Sequence, residues 1–251
     1  SDLAATSSLA QMAWQKARQN NDFSEFSPHL KKVIDLKREE ASLLSPSGDL
    51  YDGLINDYEF GMTKKETSSI FEEMKPRLLD LRQRISEAKL SKPELEGDFN
   101  TEKQLKLAHE IAETFFYDFD RGRIDIVAHP FCSGGGDDVR ITTRVDNKDP
   151  FNCLYSTIHE VGHACYEQNV SSEFLHSPLG SGVSLGIHES QSRIFENQIG
   201  RSRQFTRWLF KKMKKYFGEF GIRDEEEFYR LVNKVETGFI RTEADEVHYN
   251  L

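Results

Sequence analysis

The most constraining feature of this 251-residue chain is the pentapeptide His-Glu-Val-Gly-His at residues 159–163. On an α-helix, residues four apart lie on one face, so the imidazoles of His159 and His163 can bind one divalent ion. Glu160 follows the first histidine, where its carboxylate can accept a proton from a metal-bound water. The pentapeptide therefore predicts a helix that carries two metal ligands and a general base.

The same spacing is typical of zinc metallopeptidases, although two histidines and a glutamate on a solvated helix face produce it as well. The surrounding sequence favours the metal site. Asp149 and Pro150 predict the helix start, as N-cap and first helical residue. Apolar residues then recur at helical spacing and predict a buried stripe that excludes both histidines: Phe151, Leu154, Ile158, Val161 and Cys165.

The segment before this helix has strand character. Alternation of apolar and polar residues predicts a strand at 138–146 and a weaker one at 123–129, with the glycines 134–136 turning the chain between them. A strand beside a zinc helix suits a peptidase, because an extended substrate can pair with its edge. Gly162, beside the ligands, predicts the close approach of another segment.

A catalytic zinc ion takes three protein ligands and leaves one position for water. The extended motif with a third histidine six residues on is absent, since residues 164–169 read Ala-Cys-Tyr-Glu-Gln-Asn. Glu189 lies on a predicted helix that ends before Gly200, and it would complete a His2Glu site of the thermolysin type. Spacing alone fits a solvated carboxylate equally well. The same helix is predicted to place Glu189, Arg193 and Glu196 on one face and to bury Ile194, Phe195 and Ile199.

Composition excludes several functional classes. The net charge of −9 argues against nucleic acid as a partner. No apolar run approaches the ~20 residues that span a bilayer, and the first residues lack the pattern of a signal peptide. Three scattered cysteines predict free thiols in a reducing compartment, which favours the cytoplasm: Cys132, Cys153 and Cys165.

The remaining pattern predicts a mainly helical chain, read as one catalytic domain over residues 1–251. Ser27 and Pro28 predict one helix start, and Thr63 with Glu66 predicts a capping box at another. Pro76 predicts a kink or break in the second of these helices.

Five stretches match the motifs of one family in order. They are HPF at 129–131, D-x-R-x-T at 138–142, the zinc helix at 159–163, H-E-S-Q at 188–191 and I-R-x-x-A-D at 240–245. In order and spacing they resemble the carboxypeptidase Taq family of zinc metallocarboxypeptidases. The resemblance implies a mainly α, zincin-like fold with a small antiparallel β-sheet beside the zinc helix. It also implies zinc, with cobalt as the alternative ion, held by His159, His163 and Glu189.

The resemblance further implies removal of C-terminal residues from peptides, with Glu160 as general base and acid. A guanidinium group can donate two hydrogen bonds to the free carboxylate of a peptide. Arg140 and Arg241 are the candidates, because both lie in motifs that resemble groove-lining segments. The alternative for both is a structural ion pair, such as Arg241 with Asp245 at i,i+4. Two histidines are predicted to border the site: His129 and His188.

One departure bears on activity. The family's late G-x-x-Q-D-x-H-W motif, which contributes to the substrate groove, is absent from a chain that stops at Leu251. The expectation is either a truncated, catalytically impaired zinc-binding module, or half of a split enzyme that needs a complementing chain. The family also implies homodimers. An endopeptidase or aminopeptidase on the same ligands is a further alternative.

Overall fold

The computed structural model describes residues 1–45, 47–88, 93–127, 129–238 and 245–251. The contacts divide the chain into two compact units, Ser1–Glu73 and Met74–Leu251. The single catalytic domain predicted over residues 1–251 stays a prediction. Among the described helices, none combines the length and the apolar character that crossing a bilayer requires.

The N-terminal unit is helical. It contains α1 (Asp2–Asn20), α2 (Phe23–Leu44), α3 (Leu50–Ile55) and the beginning of α4 (Lys64–Glu87). The predicted helix start at Ser27 and Pro28 is wrong by about one turn, because Asp22 caps α2 instead. Its carboxylate accepts a hydrogen bond from the amide of Ser24 at 2.9 Å, and Pro28 lies inside the helix.

The capping box predicted at the start of α4 is confirmed. The Thr63 amide donates to the Glu66 carboxylate at 3.0 Å, and the Glu66 amide donates to the Thr63 hydroxyl at 3.3 Å. Of the kink or break predicted at Pro76, the break is wrong, since α4 continues through it from Lys64 to Glu87, and the kink stays a prediction. No residue described in α4 is buried, so water can solvate the carbonyl that the proline leaves without its helical donor.

The C-terminal unit contains a small mixed sheet. After α5 (Thr101–Thr114) come β1 (Ile124–Ile126), β2 (Cys132–Gly135) and β3 (Asp138–Thr143), arranged in the order β1-β3-β2. The β2–β3 pair is antiparallel, as predicted, but the β1–β3 pair is parallel. In the chain β2 comes between β1 and β3 and runs in the opposite direction to both. In the sheet β3 is the central strand, so β1 lies beside it on one side in parallel and β2 lies on the other side.

The helix predicted to carry the metal ligands is α6 (Pro150–Gln168). Asp149 caps it by accepting from the amide of Phe151 at 3.0 Å, as the sequence predicts. Most of the predicted stripe is buried against the core: Leu154, Ile158, Val161 and Cys165. The hydroxyl of Thr143 at the end of β3 donates to the carbonyl of Cys153 at 3.0 Å, which fixes α6 against the sheet.

The helices after α6 complete the unit. They are α7 (Leu185–Arg193), a π-helix (Ile194–Ile199), α8 (Arg203–Phe217), α9 (Glu225–Val232) and α10 (Glu246–Tyr249). The predicted burial of Ile194 and Ile199 is wrong, because both are more than 40% exposed. The wider turn of the π-helix changes which residues face inward, and Phe195 packs against the core.

The core of this unit is a cluster of apolar side chains from α5, β3, α6, α8 and α9. Its most buried members include Leu107, Ile111, Ile141, Leu154, Ile158, Leu209, Met213 and Phe228. Because one face of α6 packs into this cluster, the core fixes the position of the helix that carries His159 and His163.

Candidate metal centre

Two histidines and one glutamate converge where α6 meets α7. His159 and His163 lie one turn apart on α6, and Glu189 lies on α7. Oε2 of Glu189 is 3.2 Å from Nε2 of His163 and 3.6 Å from Nε2 of His159. The structure therefore brings together the three side chains that the sequence nominates as metal ligands.

The distances from the Glu189 oxygen to the two histidine nitrogens fit a tetrahedral zinc ion. Bonds of about 2.0–2.2 Å separate two ligands of a tetrahedron by about 3.3–3.6 Å. The two distances between Nε2 and Oε2, 3.2 and 3.6 Å, are close to that separation. Three converging donors also leave a fourth position for water, as in catalytic zinc sites.

The two helices come this close because residue 162 has no side chain. A Cβ atom added to Gly162 would lie 2.5 Å from Cα of Ser192 and 3.0 Å from its amide nitrogen. At the same contact, Nε2 of Gln191 donates to the Gly162 carbonyl at 2.9 Å. The close approach predicted from Gly162 is confirmed, and it brings Glu189 within reach of the histidines.

His159 is oriented by a partly buried carboxylate. Its Nδ1 is 2.9 Å from Oε2 of Glu196; since a carboxylate only accepts, Nδ1 carries the proton and Nε2 is left as donor to a metal. Arg201 and Arg193 approach the two oxygens of Glu196 at 3.2 and 3.4 Å. Burial raises the pKa of Glu196, but the hydrogen bond from His159 and the positive charges outweigh it and lower the pKa.

His163 is oriented by a second imidazole rather than directly by a carboxylate. Its Nδ1 is 2.6 Å from Nδ1 of His188, and Nε2 of His188 is 2.7 Å from Oε1 of Glu167. The sequence predicts that His188 borders the site, and the structure places its ring against His163. The two candidate metal ligands on α6 are thus supported by different partners.

Glu160 is 7% exposed and lies next to His159 on α6. Burial raises its pKa to about 7; the charge of His159 opposes this rise and the carboxylates of Glu189 and Glu196 add to it. A carboxyl group with a pKa near neutrality can both accept and return a proton at neutral pH. Glu160 also lines a cleft of about 400 Å³, whose opposite wall is formed by residues 130–134.

The predicted substrate-binding residues are less clearly placed at this cleft. Arg140 on β3 is exposed and pairs with Asp138 of the same strand through two hydrogen bonds of 2.8 Å. An ion pair of this kind is the alternative to substrate binding that the sequence also allows for Arg140. His129 is exposed and directly precedes the segment that lines the cleft. Arg241 lies outside the described residues, so the substrate roles stay predictions.

Sequence reasoning missed the roles of Glu167 and Glu196. Glu167 follows His163 by four residues and therefore continues the ladder of side chains on one face of α6. Glu196 follows Glu189 by seven residues, or about two helical turns. Extending the helical spacing from His163 to Glu167 and from Glu189 to Glu196 would have identified both carboxylates. The contact of His188 with His163 depends instead on how α6 and α7 pack.

Comparison with known proteins decides the family. The family model described as carboxypeptidase Taq (M32) metallopeptidase matches residues 1–251. This chain belongs to that family. Thermostable carboxypeptidase 1 of Thermus thermophilus is 41% identical over 263 residues, with 100% of this chain and 51% of the relative covered. Carboxypeptidase 1 of Bacillus subtilis is 37% identical, with 97% of this chain and 50% of the relative covered.

Solved structures of the family share the fold. The M32 carboxypeptidase from Deinococcus radiodurans R1 has a TM-score of 0.87 and 42% identity, covering 99% of this chain and 51% of that one. The BsuCP crystal structure has a TM-score of 0.91 and 35% identity, with the same coverage. The resemblance and the mainly helical fold with a small sheet are confirmed. The chain spans about half the length of the curated relatives it matches.

Proposed function

We propose that this chain forms the zinc centre of a metallocarboxypeptidase that removes C-terminal residues from peptides. The convergence of His159, His163 and Glu189 beside the buried Glu160 carries the proposal. Membership of a metallocarboxypeptidase family and relatives named carboxypeptidases support the same reaction class.

Two imidazoles and one carboxylate suit zinc, and cobalt is the alternative ion for the same donors. The ion, when bound, acts as a Lewis acid on water and on the scissile carbonyl. Burial raises the pKa of Glu189, but the neighbouring imidazoles of His163 and His159 and the Ser192 hydroxyl outweigh burial and lower it, so Glu189 is available as an anionic ligand.

Glu160 moves the proton. Its carboxylate takes a proton from the attacking water and then delivers it to the leaving amine of the cleaved peptide bond. Because the side chain is buried, few water molecules compete for the proton. Burial raises the pKa of Glu160, which favours return of the proton to the leaving amine.

The peptide is proposed to lie in the cleft next to Glu160. In the described sheet β2 is an edge strand, and residues 132–134 of that strand line the cleft. An extended peptide can pair with such an edge. Arg140 and Arg241 are the proposed donors to its free carboxylate, and His129 and His188 the proposed bordering residues.

The chain matches about half of each curated relative. A zinc centre that works with a complementing chain and a zinc-binding module without turnover are the alternative proposals. A homodimer is the alternative assembly. Free cysteines at all three positions support a reducing compartment such as the cytoplasm.

A peptide-trimming assay by mass spectrometry tests the function. We expect products shortened stepwise from the C-terminus, loss of activity with a chelator, and recovery on addition of zinc or cobalt. A peptide with an amidated C-terminus is the control, and its cleavage would indicate an endopeptidase or aminopeptidase. Zinc binding without trimming, reversed by adding the C-terminal half of the Thermus relative, would indicate a split enzyme.

A further inference from the structure

We propose that His188 and Glu167 are positioning residues that hold His163 with its Nε2 directed toward the metal. The inference rests on the proposed metal centre and goes beyond it, because neither residue is among the proposed ligands. It follows from two hydrogen bonds in series, from His163 to His188 at 2.6 Å and from His188 to Glu167 at 2.7 Å.

For a neutral His188, the chemistry of the three groups sets the direction of both hydrogen bonds. The Glu167 carboxylate has only acceptor oxygens, so Nε2 of His188 carries the proton. In a neutral imidazole the other nitrogen is then an acceptor, so Nδ1 of His188 accepts a hydrogen bond. That donor is Nδ1–H of His163, which leaves the lone pair of the His163 Nε2 free on the side of Glu189.

The ring of His188 is held in place by packing on several sides. It meets His163 edge to edge, with the ring centroids 4.7 Å apart and the ring planes 28° apart, and its centroid lies 4.7 Å from that of Tyr166. A Cβ atom at Gly182 would lie 2.9 Å from Cδ2 of His188, so the backbone also covers the ring. A ring confined in this way transmits the orientation of Glu167 to His163.

This arrangement differs from the support of the other histidine. His159 donates directly to Glu196, whose charge is balanced by Arg193 and Arg201. The carboxylate behind His163 is one imidazole further away, so its support is mainly geometric. We expect loss of the His188 hydrogen bonds to weaken zinc binding by 10- to 100-fold, which is the usual effect of losing such a partner.

His188→Phe separates the hydrogen bonds from the packing, because the phenyl ring keeps an aromatic ring beside Tyr166 and lacks both nitrogens. His109→Phe is the matched control, since His109 stacks on Phe119 at 4.6 Å away from the proposed ligands. Glu167→Leu removes the acceptor, whereas Glu167→Gln retains an amide oxygen that can accept from His188. We expect zinc affinity to fall in His188→Phe and Glu167→Leu and to be largely retained in Glu167→Gln and His109→Phe.

Two readouts test the proposal without activity. Competition with a chromophoric chelator gives the zinc affinity, and ¹⁵N NMR of the histidine rings in the metal-free protein gives the tautomer of His163. A proton on Nδ1 of His163 in the wild type, lost in His188→Phe, supports the relay. Wild-type zinc affinity in His188→Phe, or a proton on Nε2 of His163 in the wild type, overturns it. A wild-type protein that binds no zinc overturns the metal centre together with the positioning role.

Discussion

Gly162→Ala tests whether the contact between α6 and α7 holds the metal centre together. The added Cβ would lie 2.5 Å from Cα of Ser192, 3.0 Å from its amide nitrogen and 3.2 Å from the Gln191 carbonyl oxygen. These are backbone atoms, so no rotamer change relieves the overlap. Because carbon atoms in contact are about 3.5–4.0 Å apart, α7 has to move by about 1 Å.

The expected loss of stability follows from three effects. Overpacking costs about 1–3 kcal/mol, and a backbone overlap belongs at the upper end of that range. The weakened hydrogen bond from Gln191 costs about 1 kcal/mol, which the better helix propensity of alanine offsets. We expect the free energy of unfolding to fall by about 3 kcal/mol, and the Tm of the C-terminal unit by about 6–12 °C.

Zinc affinity is the more specific readout, because Glu189 moves with α7. A displacement of about 1 Å exceeds the roughly 0.2 Å tolerance of metal–ligand distances, so we expect at least about tenfold weaker binding. Gly53→Ala is the matched control, since its Cβ would lie 2.5 Å from the Ala41 carbonyl oxygen between α2 and α3. That variant should lose stability and keep its zinc affinity. Wild-type zinc affinity in Gly162→Ala would refute the reasoning.

Three further predictions concern individual side chains. Glu160→Gln should bind zinc at the wild-type ratio and trim peptides about 10²- to 10⁴-fold more slowly, and trimming at the wild-type rate would remove Glu160 from the mechanism. Glu189→Ala should lose zinc on dialysis, measured by metal analysis, whereas Glu173→Ala on the turn Ser172–Phe174 should retain it; equal zinc retention in both contradicts the ligand role. Burial, and then the carboxylates of Glu160 and Glu167, raise the pKa of Cys132 to about 12, and burial raises the pKa values of Cys153 and Cys165 to about 11. Because thiolates are the reactive form, a thiol reagent at pH 8 should modify the buried Cys153 and Cys165 only after unfolding, and fast modification of either in the native protein would contradict the burial.

Local sequence signals were sufficient for the metal helix and its surroundings. The cap at Asp149 and the buried stripe of α6 follow from residues within a few positions of each other. The missing side chain of Gly162 likewise predicted an interhelical contact. Such features depend on short-range geometry, which a sequence encodes directly.

Features that depend on tertiary contacts could not be predicted from local sequence signals. The π-helix after α7 exposes Ile194 and Ile199, which an ideal helical period had predicted to be buried. The parallel pairing of β1 with β3 depends on the path of the chain around β2. The contact of His188 with His163 joins residues 25 apart on two helices, and only their packing brings the rings together.

Anomalous scattering at the zinc absorption edge, from crystals grown with zinc, tests the central claim most directly. The account predicts one peak about 2.0–2.2 Å from Nε2 of His159, Nε2 of His163 and Oε2 of Glu189. The lack of a peak among these three atoms, or an ion bound through Nδ1 of either histidine, would contradict it.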